Sequence, residues 1–231
     1  MFLELNDVIK SYGTNENYVQ VLKKISTKIE KGTISVILGP SGSGKSTFLN
    51  VIGGLDKIDS GQILIDGLEI NKLNKKNITK YRRDYLGFVF QFYNLIPNLT
   101  LRENIEVSQY LSSEPLDIDE ILKVLNIYEF QDKYPSQVSG GQQQRCSVAR
   151  AIVKNPKILL CDEPTGALDY KSSKEMLVLF EKINQMYGTT ILIITHNEEI
   201  KKMADKIIVL KDGIIKEDFD NEKIPAKEIE W

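Results

Sequence analysis

The sequence predicts an α/β fold: a parallel sheet covered by helices, with an N-terminal antiparallel β subdomain and an inserted α-helical subdomain. Two rhythms carry this prediction. Short apolar runs at 33–38, 158–161 and 190–194 are each followed by polar residues and then by a helical stretch, the pattern of parallel strands buried on both faces. Between 91 and 155 that alternation stops, and 101–111, 118–125 and 141–153 all read as helices. With 231 residues, 42% of them hydrophobic, the chain can bury a sizeable core as one domain.

Taken in order, residues 2–8 alternate like a strand, and 19–29 form a second extended stretch, so the two predict a small antiparallel sheet. The apolar run 33–38 ends in Gly39-Pro40, and helix formers follow over 45–55. The basic stretch Lys72, Lys75, Lys76, Lys80, Arg82 and Arg83 also holds Asp84 and asparagines at helical spacing, which predicts a solvated helix face. The strands at 158–161 and 190–194 lead into helices at 172–186 and 198–203, and 206–216 reads as a late hairpin across Lys211-Asp212-Gly213. These elements divide the single domain 1–231 into an α/β core (1–90 and 156–216), a helical subdomain (91–155) and a charged tail (217–231) expected to be peripheral.

Composition excludes several function classes. The 30 basic and 32 acidic residues leave a net charge of -2, so no electrostatic footprint for nucleic acid is present and none is expected as a partner. Two cysteines, Cys146 and Cys161, form no CxxC pattern, which argues against a disulfide framework or zinc site and fits a reducing, cytosolic compartment. The acidic, alternating N-terminus lacks the basic region and apolar run of a signal peptide. No apolar run approaches the ~20 residues that a membrane-spanning helix needs.

Gly39-Pro40-Ser41-Gly42-Ser43-Gly44-Lys45-Ser46-Thr47 satisfies G-x-x-x-x-G-K-[ST], the P-loop, between a predicted strand and a predicted helix. Gly42 and Gly44 let the backbone wrap phosphate oxygens, while successive N–H groups and the helix N-terminus supply positive potential. Lys45 is placed to reach β- and γ-phosphates, Ser46 to bring its hydroxyl to Mg2+, and Thr47 to offer phosphate a second hydroxyl. In Cys161-Asp162-Glu163-Pro164, two carboxylates end an apolar strand. Beside a P-loop, Asp162 fits the metal-holding carboxylate and Glu163 a group that polarises attacking water; without one, the same pair reads as a solvated turn. His196, the one histidine, follows the strand at 190–194, at the sheet edge where ligands gather. A lone histidine is more often a surface or satisfied core residue. In Val138-Ser139-Gly140-Gly141-Gln142, glycines at a predicted helix start leave N–H groups bare for an anion, a pattern shared with linkers and N-caps.

Together these segments resemble the ATP-binding-cassette ATPases, the nucleotide-binding subunits of ABC transporters, over almost the full length. The resemblance implies that Ser139, Gly140, Gly141 and Gln142 form the signature loop, closing over the γ-phosphate of ATP held by the opposite subunit. It places Tyr12 where an aromatic stacks on adenine, Gln91 in the Q-loop as a catalytic and Mg2+-contacting residue, Asp169 in the D-loop Gly166-Ala167-Leu168-Asp169, and His196 as the switch histidine. Val138 stands where leucine is more usual, and Gln143 and Gln144 read as residues that cap or solvate the helix. The implied cofactors are ATP and Mg2+. The implied partners are a second copy of the chain, in a head-to-tail ATP sandwich, and an integral membrane permease that holds it at the cytoplasmic face of the membrane.

The segments at 86–97 and 162–169 are similar to the group of macrolide exporters, lipoprotein-release ATPases, antimicrobial-peptide resistance ATPases and the cell-division ATPase. Gly166-Ala167 leans towards the macrolide and peptide branch. Phe92 and Tyr93 fit either a groove for a permease's coupling helix or ordinary packing. Transmembrane signalling without transport remains an alternative. A soluble ABC ATPase would typically need a coiled-coil insertion or a second fused cassette, whereas this chain has one P-loop and no sustained heptads.

Overall fold

The computed structural model describes residues 1–14 and 17–230 and builds two sheets around one helix. Strands β1 (Leu3–Tyr12), β2 (Val19–Ile29), β4 (Ser60–Ile65) and β5 (Leu68–Glu69) form an antiparallel sheet in the order β2-β1-β4-β5. Strands β3 (Ile34–Leu38), β6 (Leu86–Val89), β7 (Ile158–Asp162), β8 (Thr190–Thr195), β9 (Lys206–Lys211) and β10 (Ile214–Asp220) form the second sheet, ordered β10-β9-β3-β8-β7-β6. Within it β9, β3, β8, β7 and β6 run parallel, and β10 is an antiparallel edge strand.

Burial on both faces explains the unbroken apolar runs. Successive side chains of a strand point to opposite faces. Ile34, Val36, Leu38, Leu159, Cys161, Ile191 and Ile193 therefore join one core cluster, while Ile37, Ile158, Leu160, Leu192 and Ile194 join the other. The second cluster also takes Phe48, Leu49 and Ile52 from α1 (Lys45–Ile52) and Leu3, Leu5 and Ile63 from the antiparallel sheet, so α1 is packed between the sheets. The first is covered by α3 (Leu101–Gln109), α4 (Ile118–Val124), α5 (Gly140–Ile152) and α6 (Tyr170–Tyr187).

Two local expectations are revised and a third holds. The antiparallel sheet has four strands because residues 60–69 turn back across Asp66-Gly67, both at positive φ (51° and 78°), a hairpin signal present in the sequence. The basic stretch from Lys75 onward is the solvated helix face expected, α2 (Lys75–Tyr85), with Lys72 in a preceding 3-10 turn; the one buried residue of α2, Tyr81, donates its hydroxyl to the Ile52 carbonyl at 2.8 Å. Residues Glu198–Met203 form a 3-10 helix.

The expected peripheral tail is also corrected. Strand β10 runs on to Asp220, and beyond it Ala226 and Ile229 are fully buried in the cluster beneath α6. Asn221 donates its amide to the Ala204 carbonyl at 2.9 Å, and Lys223 pairs with Asp205 at 2.7 Å. Charge along the segment hid two apolar anchors. Ile229→Ala is expected to lower unfolding free energy by about 2–4 kcal/mol in urea titration; a change below about 0.5 kcal/mol would mean that the tail does not hold α6.

Candidate functional site

Strand β3 ends at Leu38, and residues 39–44 carry the chain over its carboxyl end into α1. Gly42 and Gly44 sit at φ +79° and +102°, a region that side chains disfavour. A Cβ on Gly39 would lie 2.1 Å from the Leu210 carbonyl oxygen, so that position requires glycine for close approach. Helix α1 has no side-chain cap and no acidic residue in its first turn, leaving its positive end open to an anion. The Lys45 ammonium, largely buried, donates to the carbonyls of Gly39 at 2.8 Å and Pro40 at 3.0 Å, so the loop encircles its own lysine.

A cavity of about 460 Å3 opens here, lined by Val21, Ser41, Gly42, Gly44, Lys45, Ser46, Thr47, Gln91, Asp162 and Glu163. Parallel pairing of β7 with β8, and of β8 with β3, brings Asp162 and Glu163 to the same sheet edge as the loop. Burial pushes the Asp162 carboxyl above its ordinary range, the Ser46 hydroxyl bond opposes this, neighbouring Glu163 adds to it, and Lys45 opposes it. Ser46, Asp162 and Gln91 offer hard oxygen donors in one cavity, a set suited to Mg2+, which takes one or two carboxylates and leaves positions for phosphate oxygens. No cluster of three or more His, Cys, Asp or Glu able to hold a metal occurs among the described residues.

Glu163 adopts φ +47°, with its N–H donating to the Ile194 carbonyl at 3.0 Å and its own carbonyl accepting from Gly166 N–H at 3.0 Å. Its Oε1 lies 3.0 Å from His196 Nδ1, and its Oε2 is buried without a hydrogen-bond partner among the described residues. An ionised carboxylate only accepts, so this contact places the proton on Nδ1 and directs Nε2 away from Glu163. The imidazole is 67% exposed whereas the Glu163 side chain is 13% exposed. The pair thus has one buried and one accessible end.

The other candidate residues lie outside the cavity lining. Tyr12 ends β1; its hydroxyl donates to Asp56 at 2.6 Å, and Lys10 Nζ sits 4.6 Å from its ring centroid. Burial first and the Asp56 bond second raise its phenol pKa. Ser139 and Gln142 form a reciprocal capping box on α5: Ser139 Oγ accepts from Gln142 N–H at 3.3 Å, and Gln142 Oε1 accepts from Ser139 N–H at 2.8 Å. A Cβ on Gly140 would meet the Tyr93 hydroxyl at 2.7 Å, and one on Gly141 would meet Ser172 Oγ at 3.2 Å. Asp169 caps α6, accepting from Ser172 N–H at 3.0 Å and Ser172 Oγ at 2.7 Å, bonds that hold its carboxyl below the usual range. Phe92 is 73% exposed, whereas Tyr93 is half-buried against the α5 N-terminus.

Gln144 departs from the sequence reading. It is fully buried, and its amide donates to the Pro164 carbonyl at 2.9 Å, one residue beyond Glu163. A glutamine inside a polar run carries no periodicity signal for this. Gln143 remains local, with its amide 3.4 Å from the Val138 carbonyl.

A family profile described as ABC transporter matches residues 22–166. The bacitracin export ATP-binding protein BceA of Halalkalibacterium halodurans is 42% identical over 218 residues, covering 92% of this chain and 86% of that protein. The putative ABC transporter ATP-binding protein MG065 homolog of Mycoplasma pneumoniae is 45% identical over 216 residues, covering 92% of this chain. The chain spans about half the length of this relative (46%) and of its Mycoplasma genitalium counterpart (47%). Among solved structures, the dimeric post-hydrolysis ATP-binding cassette MJ0796, bound to ADP and Pi, matches with a TM-score of 0.86 at 39% identity, covering 96% of this chain and all of that one. A protein of that name from Methanocaldococcus jannaschii is 42% identical over 220 residues. Profile, relatives and fold agree that this chain belongs to the ABC transporter family, as an ATP-binding cassette.

Proposed function

We propose that this chain binds and hydrolyses ATP with Mg2+, pairs with a second copy around the nucleotide, and drives an integral membrane permease from the cytoplasmic face of the membrane. The observation that carries this reading is the cavity where the Lys45 loop, Asp162 and Glu163 converge at the open N-terminus of α1. Backbone N–H groups of residues 41–46 and the Lys45 ammonium bind the triphosphate, offsetting the two carboxylates beside it. Bound Mg2+, held by Ser46 and Asp162 with Gln91 close by, supplies neutralisation of charge on the phosphate oxygens. Glu163 Oε2, the oxygen without a partner among the described residues, accepts from the attacking water, and His196, fixed by its Nδ1 bond to Oε1, presents Nε2 towards the γ-phosphate.

Ser139–Gln142 stand at the N-terminus of the 13-residue helix α5 and contribute nothing to this chain's own cavity. That separation supports their use on ATP held by another copy. The dimeric, ADP- and Pi-bound state named for MJ0796 supports the same arrangement here. Tyr12, at the P-loop side of the antiparallel sheet, is the proposed base-stacking residue. No helix among the described residues is long and apolar enough to cross a membrane, so the proposed membrane contact runs through the permease.

Bacitracin export by BceA and macrolide export by the 41% identical MacB of Marinobacter nauticus support export or extraction of an antimicrobial, macrolide, peptide or lipoprotein as the work performed. Phosphate release from ATP tests the enzymatic part. Chelating Mg2+ is expected to reduce turnover at least ~100-fold, and Asp162→Asn to weaken the Mg2+ dependence of ATP binding. Turnover that survives chelation would contradict the assigned roles of Ser46 and Asp162.

A further inference from the structure

Helix α5 carries the residues proposed to touch another copy's ATP, yet its first turns are tied to the segment that carries this copy's own Glu163. Gln144 makes the central tie, through its amide bond of 2.9 Å to the Pro164 carbonyl. A carbonyl only accepts, so the Gln144 NH2 must face it. Its Oε1 is then left buried with no partner among the described residues. A side chain retained for packing alone would be apolar here, because a stranded buried acceptor is unfavourable and leucine or methionine would fill the volume without one. The bond to Pro164 is what the amide adds.

That bond grips a strained element. Glu163 holds φ +47°, and the turn over 163–166 is closed by a single 3.0 Å bond from Gly166 N–H to the Glu163 carbonyl. A left-handed glutamate persists only where its surroundings over-determine it. Two further contacts join the start of α5 to α6, the helix that follows this turn: Gly141 packs so closely on Ser172 that a Cβ would come within 3.2 Å of its hydroxyl, and Arg145 pairs with Glu175. The start of α5 and the stretch 163–175 therefore share three contacts.

We infer that Gln144 is a positioning residue, coupling the signature loop at the start of α5 to the turn that orients Glu163, so that engagement of one ATP is felt at the carboxylate serving the other. The inference rests on the ATP-sandwich reading above. Coupling of this kind needs a physical link between two sites that are each completed by different copies. Gln144 supplies it within one chain.

The test compares Gln144→Leu and Gln144→Met with the wild type, run alongside in ATP turnover, thermal unfolding and, in the Glu163→Gln background, ATP-driven dimerisation. Both variants are expected to lower kcat roughly three- to thirty-fold, with KM for ATP within about two-fold. The Hill coefficient for ATP should fall towards one, while the melting temperature holds and the dimer still forms. Turnover within about two-fold of wild type in both variants would overturn the inference. So would a loss of turnover that follows a fall in melting temperature in both. A wild type without turnover would instead remove the ATPase reading, and this link with it.

Discussion

Replacing Glu163 by glutamine is expected to reduce ATP turnover at least ~100-fold while leaving ATP binding intact. The substitution keeps the size of the side chain at the end of β7, and the Glu163 main-chain bonds to Ile194 and Gly166 do not depend on it. What it removes is the capacity to accept a proton. Oε2, buried and unpartnered among the described residues, is the oxygen most exposed to this change, because an amide NH2 there offers a donor where attacking water needs an acceptor. Oε1 faces His196 Nδ1 at 3.0 Å, and an amide oxygen there still accepts the Nδ1 proton, so the histidine contact is kept while the base is lost. Single-turnover phosphate release measures the loss. Near-normal turnover would remove Glu163 from the role of base.

Lys45→Ala should weaken ATP binding about 100-fold or more, read by titration with a fluorescent nucleotide. Lys45 is the one cationic side chain among the described residues lining the cavity, and it stands against two carboxylates, Asp162 and Glu163. Without it the triphosphate would enter a site of like charge. Its loss also removes the Lys45 donor from the Gly39 carbonyl and leaves the Pro40 carbonyl with Ser43 N–H at 3.2 Å, which loosens the loop. Affinity close to that of the wild type would mean that the N–H groups of the loop and the α1 terminus suffice alone.

The parts of this architecture legible in the sequence are those where one physical demand selects residues locally. Ile34 to Leu38 and Thr190 to Thr195 read as buried strands because both faces of the sheet are covered, leaving no polar alternation to confuse with a surface strand. Gly39 to Thr47 reads as a phosphate loop because positive φ, close approach and a lysine at fixed spacing leave few other sequences. Residues 60–69 show the opposite case: Asp66-Gly67 is a recognisable turn, but the flanking Gln62-Ile63-Leu64-Ile65 is short and pairs mainly with a strand more than 50 residues earlier. Ala226 and Ile229 were obscured by the charged residues around them. Gln144 was not legible at all, since its role depends on the Pro164 carbonyl meeting α5 in three dimensions. Ser139 to Gln142 lie between these cases: the helix cap is local, whereas their proposed ligand belongs to another copy.

The central claim is that ATP joins two copies, the Lys45 loop of one facing Ser139 to Gln142 of the other. Light scattering of the Glu163→Gln chain with and without saturating ATP and Mg2+ tests it most directly, because arrested hydrolysis holds the closed state. The mass of two chains with nucleotide and of one chain without it is the result expected. A single-chain mass with ATP demonstrably bound would contradict the claim.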